Sequence, residues 1–154
     1  MHTLVVYDSV YGNTEMIAQA IGGAIRGDVA VIRVGDVQPR DLETVDLLVI
    51  GSPTHGALPT EAVQALIAQI GPPAREGAGV ATFDTRLAWR ILSRWGGFAA
   101  PKMASALTEK GWTLAAEPEG FIVKGLRKGP LKEGEIQRAE TWASDLAGDS
   151  TDGR

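Results

Sequence analysis

The sequence contains no cysteine. That excludes disulfides, thiolate metal ligands, cysteine nucleophiles and iron–sulfur ligation by this chain. Histidine is nearly as scarce: His2 and His55 are the only two. With the carboxylates scattered along the chain, they make no metal-ligand spacing. Long apolar runs are missing too. No stretch approaches the length needed to span a bilayer, and the opening MHTLVVYDS carries no basic region ahead of an apolar segment. A soluble, cytoplasmic protein is expected. Positive charge is not in excess; the formal net charge is −4. Surfaces that hold nucleic acid are usually basic, so no nucleic-acid partner is expected. Several motifs are absent as well. There is no G-x-G-x-x-G after the first strand, no G-x-x-x-x-G-K-[ST] loop and no nucleophile elbow around Ser52 and His55. There is no repeat and no low-complexity segment. A chain of 154 residues suits one domain with a sheet covered on both faces. Residues 1–147 are assigned to that domain, and the polar stretch 148–154 to a loose tail.

What is present begins with Thr3 to Ile25. Leu4-Val5-Val6-Tyr7 is a short apolar run, followed by a turn of small and hydroxyl residues, Ser9-Val10-Tyr11-Gly12-Asn13-Thr14. Ile17, Ala20, Ile21, Ala24 and Ile25 then fall on one helical stripe. A buried strand, a hydroxyl-rich turn and a helix starting at that turn make an anion site. The first helical turn leaves N–H groups unpaired, and the helix dipole favours negative charge. Ser9, Thr14, Tyr11 and Asn13 add side-chain donors, and Gly12 lets the backbone close around a phosphate. No Lys or Arg lies between Ser9 and Glu15. The nest therefore selects with neutral donors, by geometry more than by charge.

This turn resembles the phosphate loop of the flavodoxins, which hold flavin mononucleotide (FMN): a hydroxyl residue, two positions, Gly, one position, Thr. A second stretch, Gly51-Ser52-Pro53-Thr54, is similar to the corresponding loop in flavodoxin-type domains of flavodiiron proteins and in related quinone reductases. The resemblance implies that Pro53, Thr54, His55 and Gly56 lie against the isoalloxazine ring and ribityl chain. A response-regulator receiver, which shares the topology, needs an Asp where this chain has Gly51-Ser52.

The rest of the chain alternates strands and helices. Val29–Val34, Asp46–Ile50 and Gly79–Phe83 read as further strands. Asp41-Leu42 suits a short helical turn. Thr60 is a good N-cap for a helix with Val63, Leu66, Ile67 and Ile70 on one face, stopped by Gly71-Pro72-Pro73. Ala100–Lys110 reads as a helix with Pro101 in its first turn. A fifth strand starts at Trp112–Ala116, is interrupted by Pro118 and resumes at Gly120–Lys124. Glu133–Leu146 is the last helix, with Ile136, Ala139, Ala143 and Leu146 inward. Apolar strands alternating with helices mean a three-layer, doubly wound parallel α/β sheet. Five strands allow the order 2-1-3-4-5, which is carried over from flavodoxin itself, a known instance of that order, and not read from these residues. Ligands of such sheets sit beyond the carboxyl ends of the strands where the winding reverses.

The third loop departs from the flavodoxin pattern of a short acidic loop with a Tyr over the ring. Asp84 to Gly97 carries Arg86, Arg90 and Arg94 at helical spacing, with Trp89 and Trp95 available in place of the Tyr. Two readings stand: an inserted amphipathic turn with solvated arginines, or a cationic lid that stabilises reduced, anionic flavin. Asp84, Thr85 and Arg86 are expected to frame the ring. Lys124, Arg127, Lys128 and Lys132 form a solvated edge or a docking patch for an acidic partner. The resemblance implies an FMN-binding electron carrier serving redox partner proteins or a small electron acceptor. No residue then needs to act as acid, base or nucleophile. An FMN-dependent reductase of quinones or porphyrinogens, and a flavin-free interaction module on the same fold, are the alternatives.

Overall fold

The computed structural model describes residues 1–88, 97–125 and 129–148. The expectations placed on Trp89, Arg90, Arg94, Trp95, Arg127, Lys128 and the tail beyond residue 148 lie outside the described residues.

The apolar run after Met1 forms β1 (His2–Tyr7). Helix α1 (Asn13–Ala24) follows the hydroxyl-rich turn, and β2 (Asp28–Arg33) returns beside β1. Two short 3-10 turns, Val34–Asp36 and Pro39–Leu42, lead to β3 (Leu47–Pro53). Thr60 caps α2 (Glu61–Gln69), its hydroxyl accepting from the Val63 amide, as the sequence predicts. Then come β4 (Gly79–Leu87), α3 (Ala99–Thr108), β5 (Thr113–Leu114), β6 (Glu119–Val123) and α4 (Glu135–Gly148).

All sheet pairings among these strands are parallel, in the order β2-β1-β3-β4-β5. The expected order is borne out, with one strand more than expected. β5 pairs with Gly79 and Val80 of β4, and β6 pairs with Phe83 to Leu87 of the same strand. They occupy one edge in two pieces. Pro118, which lies between them, has no N–H to give to the ladder.

Side-chain alternation along β1 divides the interior in two. Leu4 and Val6 face one way with Leu48, Ile50 and Val80, against Val63 and Ile67 of α2 and Met103 and Leu107 of α3. Val5 and Tyr7 face the other way with Val49, Ala81 and Phe83, against Ile17 and Ile21 of α1 and Ala139, Ala143 and Leu146 of α4. The sheet is thus the middle of three layers, and burial on both faces explains why its strands read as continuous apolar runs. Phe83, Phe121 and Trp142 pack edge to face, with ring centroids 6.1 to 6.3 Å apart.

Strand β4 runs further than expected. The sequence reading ends it at Phe83 and assigns Asp84 onward to a loop. The structure keeps Asp84 to Leu87 in the strand, because β6 supplies a ladder partner for each of them. Arg86 is therefore on a strand and not on a helical basic face.

Candidate functional site

The carboxyl ends of β1, β3 and β4 meet at one edge of the sheet. Between them lies an open cleft of about 460 Å³, lined from the first loop by Val10, Tyr11, Asn13 and Thr14, from the second by Pro53 to Gly56, and from β4 and β6 by Thr85 to Leu87 and Val123. Ligand pockets commonly have volumes of about 300–1,000 Å³. Ten of the thirteen residues expected to hold a cofactor line this cleft; Ser9, Gly12 and Asp84 do not. Leu87 and Val123 were not foreseen. Leu87 follows from the continuation of β4, which the apolar pattern alone does not show, and Val123, on the strand expected at Gly120–Lys124, reaches the cleft by pairing with Leu87.

Backbone geometry shapes the first loop. Gly12 is the N-cap of α1 with φ +95°, a left-handed conformation that suits glycine. Its amide donates to Ser9 Oγ at 3.0 Å, which folds the loop back on itself. No side chain caps α1. The Asn13, Thr14 and Glu15 amides, with no intrahelical acceptor available at that position, form the open donor set of this helix end. The side chains are less free than the sequence implies. The Asn13 amide nitrogen donates to the Gly129 carbonyl at 2.8 Å. The Thr14 hydroxyl is buried and lies 2.8 Å from the Thr85 hydroxyl. One of those two hydroxyls donates to the other, so the pair retains one proton to give into the cleft that both line. Tyr11 and Val10 are exposed, at 44% and 52%, and form an apolar lip.

Asp8, just before this loop, ties it to the second one. One carboxylate oxygen accepts from the Ser9 amide at 2.9 Å, the other from the Thr60 hydroxyl at 2.6 Å. Ser52 Oγ in turn accepts from the Thr60 amide at 3.0 Å. The second loop contains a tight reversal: His55 and Leu58 exchange backbone hydrogen bonds of 2.8 and 3.0 Å, with Gly56 at φ +56° and Ala57 at φ +68° between them. Two successive left-handed residues are the pattern of a two-residue hairpin turn. Ala57 adopts it against the preference of its Cβ, and Lys102 Nζ holds its carbonyl at 2.7 Å. His55 and Gly56 are exposed on this reversal.

The third segment is built around an ion pair. Asp84 is completely buried. Arg86 donates from Nε and Nη2 to its two oxygens at 2.6 and 2.8 Å, and the Ala100 amide donates at 2.9 Å. Burial pushes the Asp84 carboxyl up; Arg86, the Ala100 amide and the Thr54 hydroxyl pull it back down. The Arg86 guanidinium lies 3.7 Å from the centroid of the Phe98 ring. Its other side meets Gly120, where any Cβ would overlap it. The Asp84 carboxylate points to Arg86 and the start of α3, and Asp84 does not line the cleft. Arg86 does reach the cleft, but as half of a neutralised pair, which weakens the reading of a cationic lid at this position.

No carboxylate among the described residues lines the cleft. Among the described residues, no group of three or more His, Asp or Glu is arranged to hold a metal ion, and no helix is long and apolar enough to cross a membrane.

A family model described as a flavodoxin domain matches residues 4–76. A comparison with curated protein sequences gives no match. Among solved structures, a flavodoxin from the domain Archaea superimposes with a TM-score of 0.77 at 25% identity, covering 98% of this chain and 99% of that one. Oxidised flavodoxin 1 from Bacillus cereus gives 0.76 at 17% identity, covering 96% and 98%. The rubredoxin oxygen:oxidoreductase of Desulfovibrio gigas gives 0.78 at 18% identity, covering 97% of this chain but 36% of that one. At those lower identities the last two speak to the fold alone. With a flavodoxin-domain match over residues 4–76 and a solved flavodoxin overlaid along nearly its whole length, the chain has the flavodoxin-like fold and is similar to the flavodoxins.

Proposed function

We propose that this chain binds FMN non-covalently in the cleft at the carboxyl ends of β1, β3 and β4, and that it passes electrons to and from redox partners. The similarity to flavodoxins supports an electron carrier in general terms. The observation that carries the finer reading is the uncapped start of α1, with its left-handed Gly12, opening directly onto a cleft that no carboxylate lines among the described residues. A dianionic phosphate would find oriented amides there and no opposing acid on the wall.

The residues present fit the group. The Asn13 to Glu15 amides and the spare Thr14–Thr85 hydroxyl proton would hold the phosphate. Pro53 to Gly56 from the second loop and Thr85 to Leu87 from β4 would supply walls for the ring. When bound, the flavin supplies the redox chemistry. The chain binds it, orients it and keeps water from part of its surface. A reductase of quinones or porphyrinogens calls for a group that delivers protons to a second substrate. Among the described residues the cleft wall offers His55, exposed on its turn, and no carboxylate, which favours the carrier.

Purified protein titrated with FMN tests this. The flavin absorbance bands are expected to shift on binding, its fluorescence to be quenched, and the dissociation constant to be micromolar or tighter. A colourless protein that leaves micromolar FMN unperturbed would overturn the proposal in favour of a flavin-free module. Steady turnover of a quinone by the loaded protein would move the assignment to the reductase.

A further inference from the structure

The first loop contains no base of its own, yet the fold brings one to it. In the β1–β2 register Tyr7 lies opposite Arg33, so the last residue of β2 ends beside the start of the loop. Arg33 Nη1 donates to the Ser9 carbonyl at 3.2 Å and sits 3.6 Å from Asp8 Oδ1. Its guanidinium lies 5.4 Å from the centroid of the Tyr7 ring. The Tyr7 hydroxyl donates to Glu15 Oε1 at 2.9 Å. Two carboxylates, Asp8 and Glu15, therefore flank the loop, and each is there for a structural reason. Asp8 latches the two loops, and Glu15 sits in the first turn of α1 where the dipole favours an acid. Both repel a dianion. Among the described residues, Arg33 is the basic side chain that touches this assembly, and 44% of it remains in solvent.

We infer that Arg33 is a specificity residue that makes the site prefer the phosphorylated flavin. It offsets Asp8 and sets a positive charge against the outer side of the loop. It does so from β2, a strand that supplies no wall of the cleft. The inference rests on the FMN reading and concerns the phosphate end alone. A charge acting through solvent-exposed space falls off with salt; a hydrogen bond that merely shapes the loop does not.

The test compares FMN with riboflavin, which lacks the phosphate, on the full chain. The native protein should prefer FMN; equal binding of both flavins, or of neither, would defeat the FMN reading itself. Arg33→Gln is expected to weaken FMN binding about tenfold at low salt, to leave riboflavin binding within about twofold, and to lose most of its effect at high salt. Arg33→Lys keeps the charge and should stay within about threefold of the native protein. Should Arg33→Gln weaken both flavins alike, or neither, or should Lys bind FMN as poorly as Gln, Arg33 serves the shape of the loop or nothing at the site, and the inference falls while the FMN reading stands.

Discussion

Thr3 shows at the scale of one residue what the core tolerates. It lies inside β1 between Val29 and Leu47, fully buried, and among the described residues its hydroxyl has no hydrogen-bond partner. A buried hydroxyl that gives up water without replacement is destabilising. Thr3→Val keeps the shape and removes the orphan. It is expected to raise the unfolding free energy by about 1 kcal/mol, read as a higher urea midpoint with an unchanged slope. A lower midpoint would show that the hydroxyl does find a partner. The polar residues at the cleft behave in the opposite way. Ser9, Thr14, Thr60 and Thr85 are all engaged with neighbours, so the loops arrive preformed. A Thr14→Ala change there would strip the buried Thr85 hydroxyl of its partner as well as altering the loop.

At the scale of elements, the start of α3 shows how tertiary structure replaces a local signal. Its N-cap, Phe98, has no capping side chain. The loop after β3 and strand β4 do the work: the Thr54 hydroxyl accepts from the Ala99 amide at 3.1 Å, and Asp84 accepts from Ala100. Asp84 thus joins β4, α3 and Arg86 at a point with no solvent. Asp84→Ala would leave the Arg86 guanidinium, 19% exposed between Phe98 and Gly120, and the buried Ala100 amide without their acceptor. The expected loss is about 3 kcal/mol in chemical denaturation, against about 1 kcal/mol for Thr54→Ala. If Asp84→Ala cost no more than Thr54→Ala, the pair would be an incidental contact. The same corner marks the limit of what the sequence discloses. The strand order comes only from the resemblance to flavodoxin, whereas the alternation of strands and helices, the hydroxyl-rich loop and the Thr60 cap follow from local patterns: apolar runs, one glycine at a turn, one hydroxyl before a helix. The extension of β4 does not, because Asp84-Thr85-Arg86 looks like a loop until β6 is laid beside it. Arg33 escapes for a related reason. Its place at the phosphate loop depends on the register of β1 against β2, and its own neighbours in sequence say nothing of it.

For the molecule as a whole, stability against acid depends on three carboxylates far apart in the sequence. Glu135 is held below the ordinary range, chiefly by hydrogen bonds from Arg138 and also by the Ile122 amide. Arg138 in turn binds Glu119 and the Gly120 carbonyl and lies over the Phe121 ring, joining α4 to β6. Asp46 is lowered by the His2 amide and then by Arg75, joining β1 to the start of β3. For both groups the unfolded chain takes up a proton more readily than the folded one. Their contribution is therefore complete above the ordinary carboxylate values of about 4 and is lost as pH falls through the lower folded values. Asp84 has the opposite sign: raised by burial, it is relieved by protonation, and its contribution to folding becomes more favourable as pH falls. Two against one, the melting temperature should hold level from about pH 7 to about pH 5 and decline below about pH 4. Glu135→Gln should lower the melting temperature at pH 7 and flatten the acid decline, since the group that titrates is gone. Circular dichroism melts of both proteins across that range measure the two slopes. Equal slopes would mean that the Glu135–Arg138 link is already open before Glu135 titrates, and that the joint between α4 and β6 depends on the Phe83–Phe121–Trp142 packing instead.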